Sequence, residues 1–155
     1  MEAAREGIPA IAISADGNST AQISYTTLTS EPNSDLTKSA EVYSNLTMKF
    51  LQALLLYGAD EALPENTILN VNYPGTAHCP TVESFKFVFA RMNEDAAARN
   101  VNTCGSPHLP TENTVIGSGC YVSVSVVNAT NKADVGAITQ AAVWNRLSGF
   151  FSCLP

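Results

Sequence analysis

The chain has 155 residues, of which 45% are hydrophobic and 14% charged, and its formal net charge is −6. This composition supplies the core of one domain and excludes a disordered chain, which carries more charge and fewer apolar residues. Because nucleic acids and anionic lipids recruit basic proteins, the acidic balance argues against both partners. The longest apolar stretch, residues 50–57, is far shorter than the roughly 20 residues that cross a bilayer.

The first half of the chain predicts alternating helices and strands. Residues 1–7 are typical of the last turns of a helix that ends on a glycine. Residues 8–14 are apolar on both faces and predict a buried parallel strand, and residues 15–33 predict a loop. A long helix then begins at Ser34 or Asp35 and ends at Gly58. Its predicted apolar stripe consists of Leu36, Ala40, Tyr43, Leu46, Phe50, Leu54 and Tyr57.

The second half predicts three more strands and a helix. Residues 67–73 form one strand, and the alternation of Phe85, Phe87 and Phe89 predicts another with one face on a core. Residues 93–119 are polar and aperiodic, which predicts a long loop that is either functional or covalently pinned. A strand over residues 121–127 and a helix over 134–151 complete an α/β pattern.

Four cysteines and three glycosylation sequons point to an extracellular protein. Cys79, Cys104, Cys120 and Cys153 form no C-x-x-C pair, so disulfides are favoured over a metal site. Of the three connectivities, we favour Cys79–Cys104, which pins the long loop, and Cys120–Cys153, which fixes the C-terminus. The sequons predict glycans on Asn18, Asn45 and Asn128, and Asn45 falls on the polar helix face. Residues 1–7 nevertheless lack the basic region and apolar run of a secretory signal.

Residue chemistry alone assembles no complete active site. The chain has no G-x-S-x-G nucleophile elbow and no glycine-rich phosphate loop. His78 and His108 could each act as a general base, but a loop histidine without a catalytic task is the simpler interpretation. The acidic pairs at residues 60–61 and 94–95 are better explained as solvated surface than as metal ligands.

Three segments resemble, in order, motifs of the SurE-type survival-protein phosphatases. Residues 1–14 resemble the stretch that follows the S-G-T-V signature of that family. Residues 68–74, ILNVNYP, resemble its LNVNxP strand, and residues 118–126 resemble its GYVSVTP strand. The chain departs from the family at Val126, where the family has Pro, and at Asn128, where many members have His. Both departures concern the hinge of the C-terminal arm, and the cysteines and sequons resemble those of secreted fungal members.

The resemblance implies that residues 1–155 are the C-terminal portion of a single Rossmann-like SurE domain. Residues 1–73 would complete the α/β core, with mainly parallel central strands. Residues 74–128 would form an extended β-hairpin arm, and residues 129–155 would contain the C-terminal helix. Loss of the upstream part of the sheet would leave an open edge, so a homodimer through that edge or the arm is expected.

The resemblance also implies a metal-dependent phosphomonoesterase, a nucleotidase or acid phosphatase acting on nucleoside monophosphates or other phosphate monoesters. The full-length enzyme would use Mg²⁺ or Mn²⁺, which polarises the phosphoryl oxygens and activates water. The metal ligands of the family, an Asp pair, a Ser and an Asn, would lie upstream of Met1. No catalytic or metal residue is therefore assigned here, and the chain alone is expected to be inactive.

Two other interpretations remain open. A secreted, disulfide-linked binding protein without catalysis would have the same cysteines, sequons and acidic surface. Upstream coding sequence separates it from the enzyme, because an Asp pair and S-G-T-V before Met1 favour the phosphatase, whereas a signal peptide directly before Met1 favours the binding protein. The other interpretation is a hydrolase that uses His78 or His108.

Overall fold

The computed structural model describes residues 1–16, 23–56, 62–147 and 149–155. In these ranges the chain forms a four-stranded mixed sheet flanked by helices, which confirms the predicted α/β class and is consistent with a Rossmann-like fold. Four predicted features lie outside the described residues: the Asn18 sequon, Tyr57 of the apolar stripe, the helix end at Gly58, and the acidic pair at residues 60–61.

The strands follow the order β1-β2-β4-β3 across the sheet. β1 is parallel to β2 and β3 is parallel to β4, whereas β2 and β4 are antiparallel. Most pairings are therefore parallel, as predicted. The elements are α1 (Glu2–Arg5), β1 (Ala10–Ala15), α2 (Thr27–Ser30), α3 (Asp35–Leu55), β2 (Thr67–Tyr73), a 3₁₀ turn (Val82–Ser84), β3 (Lys86–Ala90), α4 (Glu112–Gly117), β4 (Tyr121–Asn128) and α5 (Ala137–Arg146).

Helix α3 begins as predicted, because the side chain of Ser34 accepts a hydrogen bond from the Thr37 N–H at 3.2 Å. The predicted stripe is confirmed at its centre, where Leu46, Phe50 and Leu54 are buried. The first turn differs, since Leu36 stays exposed while Thr37 is fully buried. The Thr37 hydroxyl donates to the Glu31 carbonyl at 2.9 Å, and this bond satisfies the buried polar group.

Strand β1 is parallel as predicted, but the prediction that it is buried on both faces is wrong. Ile13 is 41% exposed, and Ala12 and Ser14 are exposed as well. Among the described residues, β2 is the only strand beside it. Helix α1 contributes Ala4 to a small cluster with Ile68 at the amino end of the sheet, so the carboxyl half of β1 stays uncovered.

Strand β3 is buried on both faces, which the phenylalanine alternation did not predict. Phe87 and Phe89 pack into the main core with α3 and α5. On the opposite face, Val88 and Ala90 pack against Val115 of α4. The prediction of an uninterrupted loop over residues 93–119 is therefore wrong for α4.

Strands β3 and β4 both belong to the central sheet and run parallel to each other. Residues 74–128 therefore contribute two strands to the central sheet. The physical reason is burial, since both strands carry apolar side chains on the face that packs against α3 and α5.

The C-terminal helix is confirmed but shorter than predicted, ending at Arg146. The chain then turns back along β3, where Phe151 forms a parallel bridge with Phe87. The Ser152 N–H donates to the Phe87 carbonyl at 2.7 Å. The tail therefore covers the outer edge of β3. Its aromatic rings belong to a cluster formed by Phe50, Phe87, Phe89, Trp144, Phe150 and Phe151.

The disulfides are Cys79–Cys120 and Cys104–Cys153, so the favoured pairing of Cys79 with Cys104 and Cys120 with Cys153 is wrong. Parallel pairing of β3 with β4 brings their amino ends together, and this places Cys120 beside Cys79. The returning tail brings Cys153 to the long loop. All four cysteines are thus in disulfides, and the loop and the C-terminus are pinned to each other.

Candidate functional site

The candidate site lies at the carboxyl ends of β1 and β2, which end side by side at Ala15 and Tyr73. In open α/β sheets, ligands bind outside the carboxyl ends of parallel strands. Polar side chains are concentrated at this end of the sheet, on the face opposite α3, whereas the amino end of the same face carries the apolar Ile68 and Val127.

Three side chains form a hydrogen-bonded row across this face, and we call Ser14, Asn72 and Ser123 the polar row. They lie in register on β1, β2 and β4. Ser14 Oγ donates to Asn72 Oδ1 at 2.5 Å, and Asn72 Nδ2 donates to Ser123 Oγ at 3.2 Å. Ser123 is fully buried and Ser14 is exposed. The polar row therefore leads from the sheet interior to solvent.

A second polar group lies two residues further into the sheet. Asn70 Nδ2 donates to Glu112 Oε1 at 2.8 Å, and Ser125 Oγ donates to the same oxygen. Asn70 and Ser125 face each other on β2 and β4, while Glu112 is the first residue of α4. These bonds satisfy the carboxylate and fix α4 on the sheet.

On the α3 face, a cavity of about 320 Å³ opens between the end of β1 and α3. The rings of Tyr43 and Tyr73 stack there with their centroids 5.6 Å apart. The Tyr73 hydroxyl lies 3.0 Å from Thr47 Oγ1, and burial raises the pKa of Tyr73. Ser14, on the edge strand β1, borders this cavity although its side chain bonds to Asn72 on the opposite face. The residues that line the cavity are all uncharged.

The predicted glycosylation residues differ in their surroundings. Asn45 is exposed on α3, as the helix pattern predicted. Asn128 is half-buried at the end of β4, and its Oδ1 accepts hydrogen bonds from the N–H groups of Thr130 and Asn131. Asn45 is therefore the better placed of these two for a bulky modification.

The structure does not bring the two histidines to the candidate site. His78 is exposed next to the Cys79–Cys120 disulfide. His108 lines a different cavity of about 280 Å³, which Cys104 and Trp144 also line. Of the acidic pair at residues 94–95, Asp95 lies 3.9 Å from the Arg91 guanidinium.

Across residues 1–16, 23–56, 62–147 and 149–155, no three His, Cys, Asp or Glu side chains group closely enough to hold a metal ion. The described side chains therefore provide no cluster for the ion that the SurE resemblance implies, whose ligands that resemblance places upstream of Met1. In the same ranges, no helix is long and apolar enough to cross a bilayer.

Sequence reasoning missed every side chain of the polar row. A signal was present, because Asn70 and Asn72 alternate with apolar residues in β2, and Ser123 and Ser125 do the same in β4. This period of two places each pair on one face of its strand. The partner Glu112 had no such signal, since its helix was not predicted.

The mixed, mostly parallel α/β sheet is consistent with the Rossmann-like class of folds. The model of the Survival protein SurE family matches residues 1–99, so the chain belongs to the SurE family. The match contains β1 and β2 with Ser14 and Asn72. No significant match was found among curated proteins or among solved structures.

Proposed function

We propose that the chain is part of a SurE-type phosphomonoesterase that hydrolyses nucleoside monophosphates or other phosphate monoesters. The observation that carries this proposal is the family match over residues 1–99, which contains the carboxyl edge of β1 and β2. In this proposal the chain supplies one wall of the active site. The ligands for Mg²⁺ or Mn²⁺ come from an upstream segment.

The open edge of β1 supports the idea that residues 1–155 are the C-terminal portion of a larger domain. In parallel α/β sheets both faces are normally covered, and exposed edges are normally protected. The tail covers β3, whereas no described strand lies on the outer side of β1. We propose that an upstream strand pairs there, and that in its absence a second copy of the chain occupies the same edge.

Reconstitution tests this proposal. We expect the 155 residues alone to show no hydrolysis of p-nitrophenyl phosphate with Mg²⁺ or Mn²⁺. Co-expression with the segment encoded upstream of Met1 should give metal-dependent hydrolysis that a chelator abolishes. Clear turnover by the chain alone would contradict the assignment of the metal ligands to that segment. No turnover by the combined protein would contradict the proposed function.

A pair of variants locates the contact between the two parts. Ile13→Lys places a charge on β1 and should lower the reconstituted activity. Ile138→Lys is the matched control, because Ile138 is 90% exposed on α5, outside the candidate site. Equal activity of the two reconstituted variants would show that the upstream segment does not pair at β1.

We also propose that the protein is secreted and glycosylated, which the two disulfides and the exposed Asn45 support. Disulfides persist mainly in oxidising compartments. In a secreting eukaryotic host, Asn45→Gln should remove a glycan that an amidase releases from the unmodified chain. Asn128→Gln should leave that mass difference unchanged. A chain that carries no glycan in this host would contradict the modification.

The non-catalytic binding protein is not favoured by the family match. A signal peptide encoded directly before Met1, in place of an Asp pair and S-G-T-V, would support the binding protein. A hydrolase centred on His78 or His108 has no support from the site geometry, since neither histidine lies among the side chains of the polar row.

A further inference from the structure

The polar row has a chemical character that narrows what it can contact. It contains two hydroxyls and one amide, and the adjacent group adds the Glu112 carboxylate. The strand residues in register with Asn72, and those in register with Asn70, include no Lys or Arg. Lys86 on β3 lies two residues from Val88, the register partner of Ser123, and β2 and β4 separate it from Ser14. A phosphate dianion beside Ser14 would therefore find no adjacent positive charge in the sheet and would be repelled by Glu112.

Hydrogen bonding gives the exposed end of the row a definite polarity. Ser14 Oγ donates to Asn72 Oδ1, and the Asn72 amide N–H donates to Ser123 Oγ at 3.2 Å. Ser14 thus directs its proton inward, and its lone pairs remain available to accept a hydrogen bond from solvent or a ligand. Such an acceptor fits an alcohol O–H.

The polar row extends into the buried interior of the sheet, where polar side chains are costly. An uncharged polar group inside a sheet is stable only when it is hydrogen-bonded, and a β-branched apolar residue would fill the position at lower risk. Ser123 is fully buried and bonded to Asn72, which is itself bonded to Ser14. The buried pair holds the exposed hydroxyl in one orientation at the carboxyl edge.

We infer that Ser14 contacts the uncharged, hydroxyl-bearing part of the phosphate ester, and that Asn72 and Ser123 position Ser14. This inference rests on the proposed phosphomonoesterase function. The row recognises the alcohol that leaves, and the phosphoryl group is held elsewhere. Ser14 is then a specificity-determining residue, and the other two are positioning residues.

Binding to the intact chain tests the inference without requiring activity. We would titrate the isotopically labelled protein with D-ribose up to tens of millimolar and, separately, with inorganic phosphate. Ribose should shift the NMR signals of the Asn72 side-chain amide and the backbone near Ser14, whereas phosphate should not. A shift by phosphate alone, or by neither probe, would overturn the inference.

Two variants of equal shape separate recognition from folding. Ser14→Thr keeps the hydroxyl and Ser14→Val removes it, and both side chains are well tolerated in a strand. The Thr variant should retain the ribose response, whereas the Val variant should weaken binding about fivefold, the typical effect of one lost hydrogen bond. Equal ribose binding by both variants would overturn the role of Ser14. Failure here with intact reconstituted hydrolysis would leave the proposed function standing.

Discussion

The two edges of the sheet are built in opposite ways. At the β3 edge, the tail bonds to Phe87, a disulfide joins Cys153 to Cys104, and both faces of the strand are buried. At the β1 edge, the described residues provide no covering strand, and Ile13 is 41% exposed. All four cysteines lie at or beyond residue 79, so no cross-link reaches β1.

This difference shows which edge of the sheet the described residues protect. Exposed strand edges recruit other strands, and proteins normally cover or charge them. One edge is protected by the chain itself and is held by a covalent bond. The other edge has the apolar character of an interface, and it borders the candidate site. Under the proposed function, this edge is where an upstream segment or a second copy would pair.

The largest expected contrast is in stability. Phe87→Ala removes a ring that stacks on Phe50 and should cost about 3–5 kcal/mol, the usual range for a buried aromatic residue. Ile13→Ala at the open edge should cost about 1 kcal/mol, because the side chain is partly solvated. Urea denaturation measures both values. Similar losses at the two edges would contradict the contrast.

Removal of the Cys104–Cys153 disulfide should destabilise the contact between the C-terminal tail and β3. Replacement of Cys104 and Cys153 by Ser should lower the free energy of unfolding by about 2–4 kcal/mol. Hydrogen exchange should show lost protection at the Ser152 amide, which bonds to the Phe87 carbonyl. The Lys86 amide, bonded to the Cys120 carbonyl at 3.0 Å, serves as an internal control and should stay protected. An unchanged Ser152 amide would mean that the tail is held without the disulfide.

A smaller effect is expected at Tyr73, under the candidate site. Burial raises the pKa of Tyr73, so the unfolded chain ionises this group at a lower pH than the folded chain does. Its contribution to stability is complete below about pH 10 and declines as the pH rises through the folded pKa. Tyr73→Phe should remove this part of the loss of stability at alkaline pH. Near neutral pH the variant should also be less stable by about 1 kcal/mol, because it lacks the hydrogen bond to Thr47.

Urea titrations between pH 7 and pH 11 follow this effect. Tyr25→Phe is the control, because Tyr25 is 83% exposed and its replacement should leave the pH profile unchanged. An identical alkaline decline in the Tyr73→Phe variant and the unmodified chain would contradict the assignment.

Ile13→Lys is expected to change the free energy of unfolding least. Its main effect should be on the self-association of the chain. A lysine on an edge strand opposes pairing with another strand. Sedimentation equilibrium should show weaker self-association, while the free energy of unfolding changes by about 0.5 kcal/mol or less. Ile138→Lys should change neither quantity. Self-association that persists in the Ile13 variant would place the dimer contact elsewhere.

Local patterns predicted those elements that local forces determine. The cap at Ser34, the buried centre of α3 and the strand over residues 67–73 follow from capping and periodicity, and the structure confirms them. The family resemblance, based on short motifs in order, is confirmed by the match over residues 1–99. Helix α4 escaped prediction because it is only six residues long and begins at a Thr111 cap inside a polar stretch.

Long-range pairing decided the rest. The cysteine spacing allowed three connectivities. The observed two disulfides follow from the parallel arrangement of β3 and β4 and from the returning tail. The burial of β1 was overestimated for a similar reason. The sequence of an apolar strand shows the same pattern whether or not another strand pairs with its outer edge. The polar row depends on the register of three strands.

The sequence by itself determined the fold class, the family and the positions of the main helix and strands, because these follow from periodicity and short motifs. Only the tertiary structure decided which cysteines pair, which edge is covered, and which polar side chains meet at the carboxyl ends of β1 and β2. Those outcomes depend on contacts between residues far apart in the chain, and no local pattern encodes their register.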